Sequence, residues 1–125
     1  MPEVVWVADW EMQCCGDPFA VGGEVAWPLS PLEDRHSLAD ALGEDVAATV
    51  TAFYDHHSSS PVPPEVDGVV RTIRAVFRDY QLIDRTLVPI SGSTVVVHQE
   101  AGNGWETETR PQRFVGYLVE LDTSP

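Results

Sequence analysis

Apolar positions that alternate or cluster in β-branched residues run through most of the chain and predict a mainly β protein. Residues 3–10, EVVWVADW, are rich in valine and tryptophan, and residues 19–27, FAVGGEVAW, have the form of strand, tight turn and strand. Residues 93–100, STVVVHQE, and 113–122, RFVGYLVELD, have the same strand composition. The turn sequences PISGS and AGNG separate such runs at the spacing expected of a β-rich domain.

One segment has helical periodicity instead, and it predicts a helix near residues 37–48. Its first residues, SLAD, have the serine and acid spacing of a capping box. Leu38, Leu42 and Val46 then recur at every fourth position, as on one face of a helix. The β-branched run at residues 49–51 lowers helix propensity, so we expect the helix to end near residue 48.

Residues 69–80, VVRTIRAVFRDY, fit either a helix or a strand. A helical face would place the apolar residues on one side and the arginines on the other. The high β-branched content and the preceding Gly68 favour the strand.

Together these elements predict one domain spanning residues 1–125, an α+β protein that is mainly β. We expect a small SH3-like or OB-like barrel of about five strands, with the helix inserted and covering one open end. The residues expected in the barrel core are Val5, Val7, Phe19, Val25, Trp27, Ile73, Val95, Val97 and Leu118.

Composition indicates a folded protein that does not cross a membrane and predicts a cytoplasmic location. The chain has 125 residues, of which 43% are hydrophobic, and no apolar run approaches the roughly 20 residues of a membrane-spanning helix. The first residues contain an acid and no basic residue, unlike a signal peptide. In a reducing cytoplasm a structural disulfide is not expected.

The charge of the chain is strongly negative and unevenly distributed. The net charge is −13, and residues 1–67 carry thirteen acidic residues against one arginine. Such a surface repels phosphates, which disfavours nucleic acid as a partner. It fits a basic protein partner, or simply serves solubility.

Two pairs of adjacent residues, Cys14 with Cys15 and His56 with His57, are the candidate metal ligands. Two thiolates and two imidazoles form a common zinc ligand set, so zinc is the expected ion. The spacing is an objection, because adjacent side chains tend to diverge. The alternative interpretations are small buried side chains for the cysteines and a polar loop after a helix for the histidines.

A nucleophilic cysteine is a further alternative. It requires a thiol of lowered pKa and a general base, for which the Asp55-His56 sequence is a candidate. The nearby acids Asp9, Glu11 and Asp17 oppose thiolate formation.

The remaining charged and titratable residues carry less chemical information. Arg71, Arg74 and Arg78 are the one basic cluster, and we expect them to pair with acids of this chain. His36 and His98 are expected to lie on the surface or to be satisfied by local partners.

Four sequence patterns together resemble a known family: W..DW.MQCCG.PF.VG..V.W, DHH, G.VR.I..V and FVGYLVEL. The chain is similar over residues 6–122 to a family of small actinobacterial proteins, the domain of unknown function numbered 6578. The resemblance implies no activity and no catalytic residues. It implies that Cys14, Cys15, Gly16, His56 and His57 belong to one recurring pattern.

The sequence therefore predicts a binding or adaptor module with a protein partner, with a structural zinc ion as an open question. Nothing in the pattern indicates catalysis, so an enzyme is the less favoured class. Two alternatives stay open: a metal-dependent or thiol enzyme, and a nucleic-acid-related acidic protein.

Overall fold

Ten strands and three short helices form the part of the chain that the computed structural model describes, which is residues 2–14, 16–32, 35–55, 63–108 and 112–123. The strands are β1 (Pro2–Ala8), β2 (Phe19–Ala20), β3 (Glu24–Pro31), β4 (Ala52–Tyr54), β5 (Glu65–Arg78), β6 (Tyr80–Ile83), β7 (Thr86–Pro89), β8 (Val95–Gln99), β9 (Ala101–Gly102) and β10 (Arg113–Thr123). The helices are α1 (Asp9–Cys14), α2 (Arg35–Leu42) and α3 (Glu44–Ala47).

Five strands close into a barrel, so the predicted mainly β fold is confirmed. The ring runs β10, β1, β4, β3 and β5, and the pairing of β5 with β10 closes it. All neighbours in the ring are antiparallel except β1 and β4, which pair in parallel. The choice between an SH3-like and an OB-like subtype stays a prediction.

The 14-residue strand β5 lets the ring close because it pairs with three other strands. Its first part pairs with β3, its last part pairs with β8, and its other edge pairs with β10. Register shifts interrupt the β5–β10 ladder at two points, between Phe114 and Gly116 and between Glu120 and Leu121. Such bulges bend a strand and increase its twist, as closure of a small barrel requires. The strand interpretation of residues 69–80 is therefore confirmed for residues 69–78.

Where β1, β10 and the last part of β5 form the barrel wall, the wall is apolar on both faces, and each face belongs to a different hydrophobic cluster. Val5 and Val7 of β1 lie in the interior cluster, whereas Val4 and Trp6 pack in a second cluster outside the wall. Strand β10 divides in the same way, with Leu118 in the outer cluster. This explains why the sequences of these strands are nearly continuous apolar runs rather than strict alternations of apolar and polar residues.

The inserted helical segment packs on the outer wall, so the expectation that it covers an open end is wrong. Leu38, Leu42 and Val46 contact the outer cluster. The segment is also two helices rather than one, because Gly43 adopts a φ of 94° between α2 and α3. The helix α1, which sequence reasoning missed, supplies Met12 to the interior cluster where β1 finishes.

Most of the predicted core residues lie in the core. Six of the nine are buried, and five of these lie in the interior cluster: Val5, Val7, Phe19, Trp27 and Ile73. Leu118 is buried in the outer cluster instead, so its assignment to the barrel core is wrong. Val25 is half-buried against the interior cluster, and Val95 is half-buried in β8. Val97 is 42% exposed, so its assignment to the core is wrong. The reason is that β8 lies beside β5 outside the closed ring, where one face of the strand meets solvent.

Candidate functional site

Of the four predicted metal ligands, only Cys14 lies in the described part of the chain. Cys15, His56 and His57 lie outside the described residues. Cys14 is the last residue of α1, and its side chain is exposed. The interpretation of this cysteine as a small buried side chain is therefore wrong.

Cys14 is also disulfide-bonded, which corrects the expectation of reduced thiols. That expectation rested on the redox state of an assumed compartment, which the residues themselves do not determine. A disulfide sulfur is not a thiolate, so a zinc site at Cys14 requires the reduced protein. Within the described residues no group of three or more histidine, cysteine and acidic side chains could hold a metal ion.

The structure nevertheless brings the segment before the cysteine pair close to the segment before the histidine pair. Glu11 of α1 is buried, and its negative charge, after burial itself, raises the pKa of the Tyr54 hydroxyl. The next residue, Asp55, is fully buried and accepts a hydrogen bond from the Ser30 hydroxyl at 2.6 Å. The Cys14 segment and the segment before His56 both contribute to the interior cluster, through Met12 and Tyr54.

The arginines do not form one basic cluster. Arg71 pairs with Asp122 through its Nε at 3.0 Å, which confirms the expected pairing with an acid for this residue. Arg78 is buried and donates from its Nη1 to the backbone carbonyl of Asp40 at 2.9 Å. The histidines are confirmed as surface residues, since His36 and His98 are exposed and His36 lies 3.8 Å from Asp40.

The clearest surface feature is a β-hairpin that sequence reasoning did not single out. Strands β6 and β7 pair only with each other among the described strands, around a turn at Asp84 and Arg85 with positive φ angles. We call residues 80–89 the apolar hairpin. Leu82 is 69% exposed, Leu87 50% and Ile83 47%, and Ile90 directly after the hairpin is also exposed. The signal in the sequence was QLIDRTLV, two short apolar runs around a polar turn.

A first cavity, the helix-side cavity, lies between the apolar hairpin and the helices α2 and α3. Its volume is about 880 Å³. Val88 and Pro89 of the hairpin line it, and three acids of the helices, Asp40, Glu44 and Asp45, line the opposite side together with Arg78.

A second cavity, the aromatic cavity, is lined by Tyr80 and Leu87 of the hairpin. It has a volume of about 390 Å³ and shares Leu42 with the helix-side cavity. Its aromatic lining is Trp6, Trp10, Tyr80 and Phe114, and its charged lining is Asp9, Glu108 and Arg113.

Burial controls the protonation of the groups in the aromatic cavity. It raises the pKa of the Asp9 carboxyl above its ordinary value, an effect that the negative charge of Glu108 reinforces and two backbone N–H groups oppose. Burial also raises the pKa of the Tyr80 hydroxyl. Glu108 accepts a hydrogen bond from the backbone N–H of Phe114 at 3.0 Å.

These features define the class of the molecule as a small, mainly β barrel protein that presents an apolar hairpin between two cavities with charged linings. The family model described as a family of unknown function, DUF6578, matches residues 1–123. The chain belongs to this family, which confirms the resemblance; its actinobacterial origin stays a prediction. No curated protein and no solved structure matches the chain. None of the helices in the described residues has the length and apolar character to span a bilayer.

Proposed function

We propose that this protein is a non-enzymatic binding module that docks a basic protein partner on the apolar hairpin and the two cavities beside it. The observation that carries the proposal is the concentration of exposed apolar side chains on one hairpin. Leu82, Ile83 and Leu87 lie within six residues of one another and face solvent. Leu82 and Leu87 are directly opposite each other in the β6–β7 ladder, so they form an exposed apolar pair, and exposed apolar side chains grouped in this way mark interaction sites in folded proteins.

The charge around the hairpin supports a basic partner. Among the described residues, two arginines, Arg78 and Arg113, line the two cavities against five carboxylates, at Asp9, Asp40, Glu44, Asp45 and Glu108. One of these arginines is buried and bonded to a helix carbonyl. A partner that covers the hairpin with apolar side chains and reaches the cavities with cationic ones would therefore be complementary.

A second copy of the chain fits this surface less well. Each copy carries a net charge of −13, so two copies repel each other when brought together. Among the described strands β6 and β7 pair only with each other, so their outer edges also offer backbone groups to a strand of the partner.

Site-specific photo-crosslinking tests the proposal. A photoreactive amino acid at position 82 or 87 should give a discrete adduct in cells, whose partner is identified by mass spectrometry and is basic. The matched control is position 21, because Val21 is also exposed but lies in a turn away from the hairpin.

Binding of variants to the purified partner then measures how much the hairpin leucines contribute to affinity. The double variant Leu82→Ser/Leu87→Ser should weaken binding more than tenfold, because burial of one leucine contributes about 1.5–3 kcal/mol. Val21→Ser should bind like the unaltered protein. Equal adducts at all three positions, an adduct with a second copy, or an unaffected double variant would each contradict the proposal.

A structural zinc ion at Cys14, Cys15, His56 and His57 is retained as a second proposal, supported by the convergence of the Glu11 and Tyr54 segments. Protein purified under reducing conditions should carry one zinc per chain, and chelation should lower its melting temperature. His56→Gln should lose the metal, whereas the surface variant His98→Gln should retain it. Metal-free reduced protein whose melting is unchanged by chelator excludes this site.

The cytoplasmic location likewise stays a proposal.

A further inference from the structure

We infer that the aromatic cavity is a receptor for an alkylammonium group, the end of a lysine side chain of the docked partner. This inference rests on the proposed function for the identity of the partner, but the cavity can be tested without it. Two features of the cavity lining carry the inference: aromatic rings, and carboxylates that form no ion pair within the described part of the chain.

The aromatic wall suits a cation that arrives with an aliphatic chain. Trp6, Trp10 and Tyr80 line the cavity, and Trp10 is 50% exposed. A cation over the face of tryptophan is attracted by the ring quadrupole, and tryptophan is the best of the aromatic side chains for this contact. The volume of about 390 Å³ lies in the range of small-ligand sites, roughly 300–1,000 Å³.

The carboxylates supply the charge that an ammonium group would neutralise. Among the described residues neither Asp9 nor Glu108 forms an ion pair. One oxygen of Glu108 accepts the Phe114 N–H, and the other has no described partner. Burial is the main cause that raises the pKa of Asp9, and the negative charge of Glu108 adds to it, so the two carboxylates repel each other and a bound cation would relieve that repulsion.

Arg113 carries the opposite charge in the same cavity, and this charge provides a further test of the inference. Its side chain is exposed at the cavity, so it favours anions and disfavours a bound ammonium group. The described lining holds two carboxylates against one guanidinium, so it still favours a cation. Removing the charge of Arg113 should therefore strengthen ammonium binding, whereas removing a carboxylate should weaken it.

Titration with n-butylammonium, which has the length of a lysine side chain, tests the inference at constant ionic strength. The indole N–H signals of Trp6 and Trp10 in a ¹⁵N correlation spectrum should shift and saturate. Trp105, which is 68% exposed outside this cavity, is the internal control and should not shift. The neutral analogue n-butanol should leave the signals of Trp6 and Trp10 in place.

Charge-changing variants test whether butylammonium binding depends on the carboxylates or only on the shape of the cavity. Asp9→Asn/Glu108→Gln should weaken butylammonium binding about tenfold, whereas Asp40→Asn/Glu44→Gln, with the same charge change in the helix-side cavity, should leave it nearly unchanged. Arg113→Gln should strengthen it. Equal shifts with n-butanol, a response at Trp105 alone, or equal effects of the two double variants would overturn the inference.

The two proposals fail in different ways. If butylammonium binds as described but no crosslinked partner is found, the cavity is a cation receptor and the docking function is wrong. If a basic partner crosslinks at positions 82 and 87 but the cavity does not bind butylammonium, the partner docks on the hairpin alone and this inference is wrong.

Discussion

Replacing Gly116 with alanine should destabilise the protein by about 3–5 kcal/mol, the sum of backbone strain and overpacking. Gly116 has a φ of 154° beside the bulge in β10. A Cβ there would lie 2.5 Å from the Val7 backbone oxygen and 2.5 Å from the Trp6 ring. Since domains of this size have total stabilities of roughly 5–15 kcal/mol, the variant should lose a large part of its folded stability.

Urea denaturation of two glycine variants measures this effect. Gly22 also has a positive φ, 86°, but an added Cβ would meet no heavy atom within 4 Å. Gly22→Ala should therefore lower the free energy of unfolding only through backbone strain, by about 1 kcal/mol. Similar losses in the two variants would show that crowding at Trp6 and Val7 is not what requires glycine at position 116.

Replacing Tyr117 with phenylalanine should destabilise the protein by about 2–3 kcal/mol at neutral pH. The Tyr117 side chain is fully buried, and its hydroxyl donates to Glu106 at 2.5 Å. The same oxygen accepts the backbone N–H of Gly104 at 2.9 Å. The variant leaves that buried N–H and the Glu106 carboxylate without this partner.

The same residue makes stability depend on alkaline pH. Burial, reinforced by the hydrogen bond to Glu106, raises the pKa of the Tyr117 hydroxyl well above its ordinary value of 10.0. Its stabilising contribution is therefore fully present below about pH 10, the pKa of the unfolded chain, and is lost as the pH rises towards the folded pKa.

Unfolding free energies measured by urea between pH 7 and 11 check both parts of this prediction. Tyr117→Phe should be less stable at pH 7 and should lose less stability above pH 10. Tyr80→Phe is the control, because Tyr80 is half-buried and its hydroxyl forms no described hydrogen bond. If the two variants behave alike, the Glu106 and Gly104 contacts contribute little.

The strands were predictable from sequence because β-branched density is a local property. Residues 69–78 show this, since their composition favours a strand and they form part of β5. The break at Gly43 and the exposure of Val97 were not predictable in the same way. The break at Gly43 comes from a positive φ inside a segment of continuous helical periodicity, and the exposure of Val97 depends on which element lies alongside β8.

The candidate site was predictable only in fragments. The aromatic cavity combines Trp6, Trp10, Tyr80 and Glu108, which come together only when the barrel closes. The cysteine and histidine pairs have the residue types of a zinc ligand set, but residue type alone does not determine whether the four side chains come together. The hairpin was overlooked because an exposed leucine is identical in sequence to a buried one.

The strand order also constrains how the protein can fold. Residues 2–8 pair with residues 116–122, so β10 must be synthesised before the ring can close. Until then β1 and β5 each have an edge that awaits this strand. Contacts so distant in sequence form slowly, and exposed strand edges promote aggregation. We therefore expect the barrel to close only after translation has passed residue 123, with the nascent chain most vulnerable just before that point.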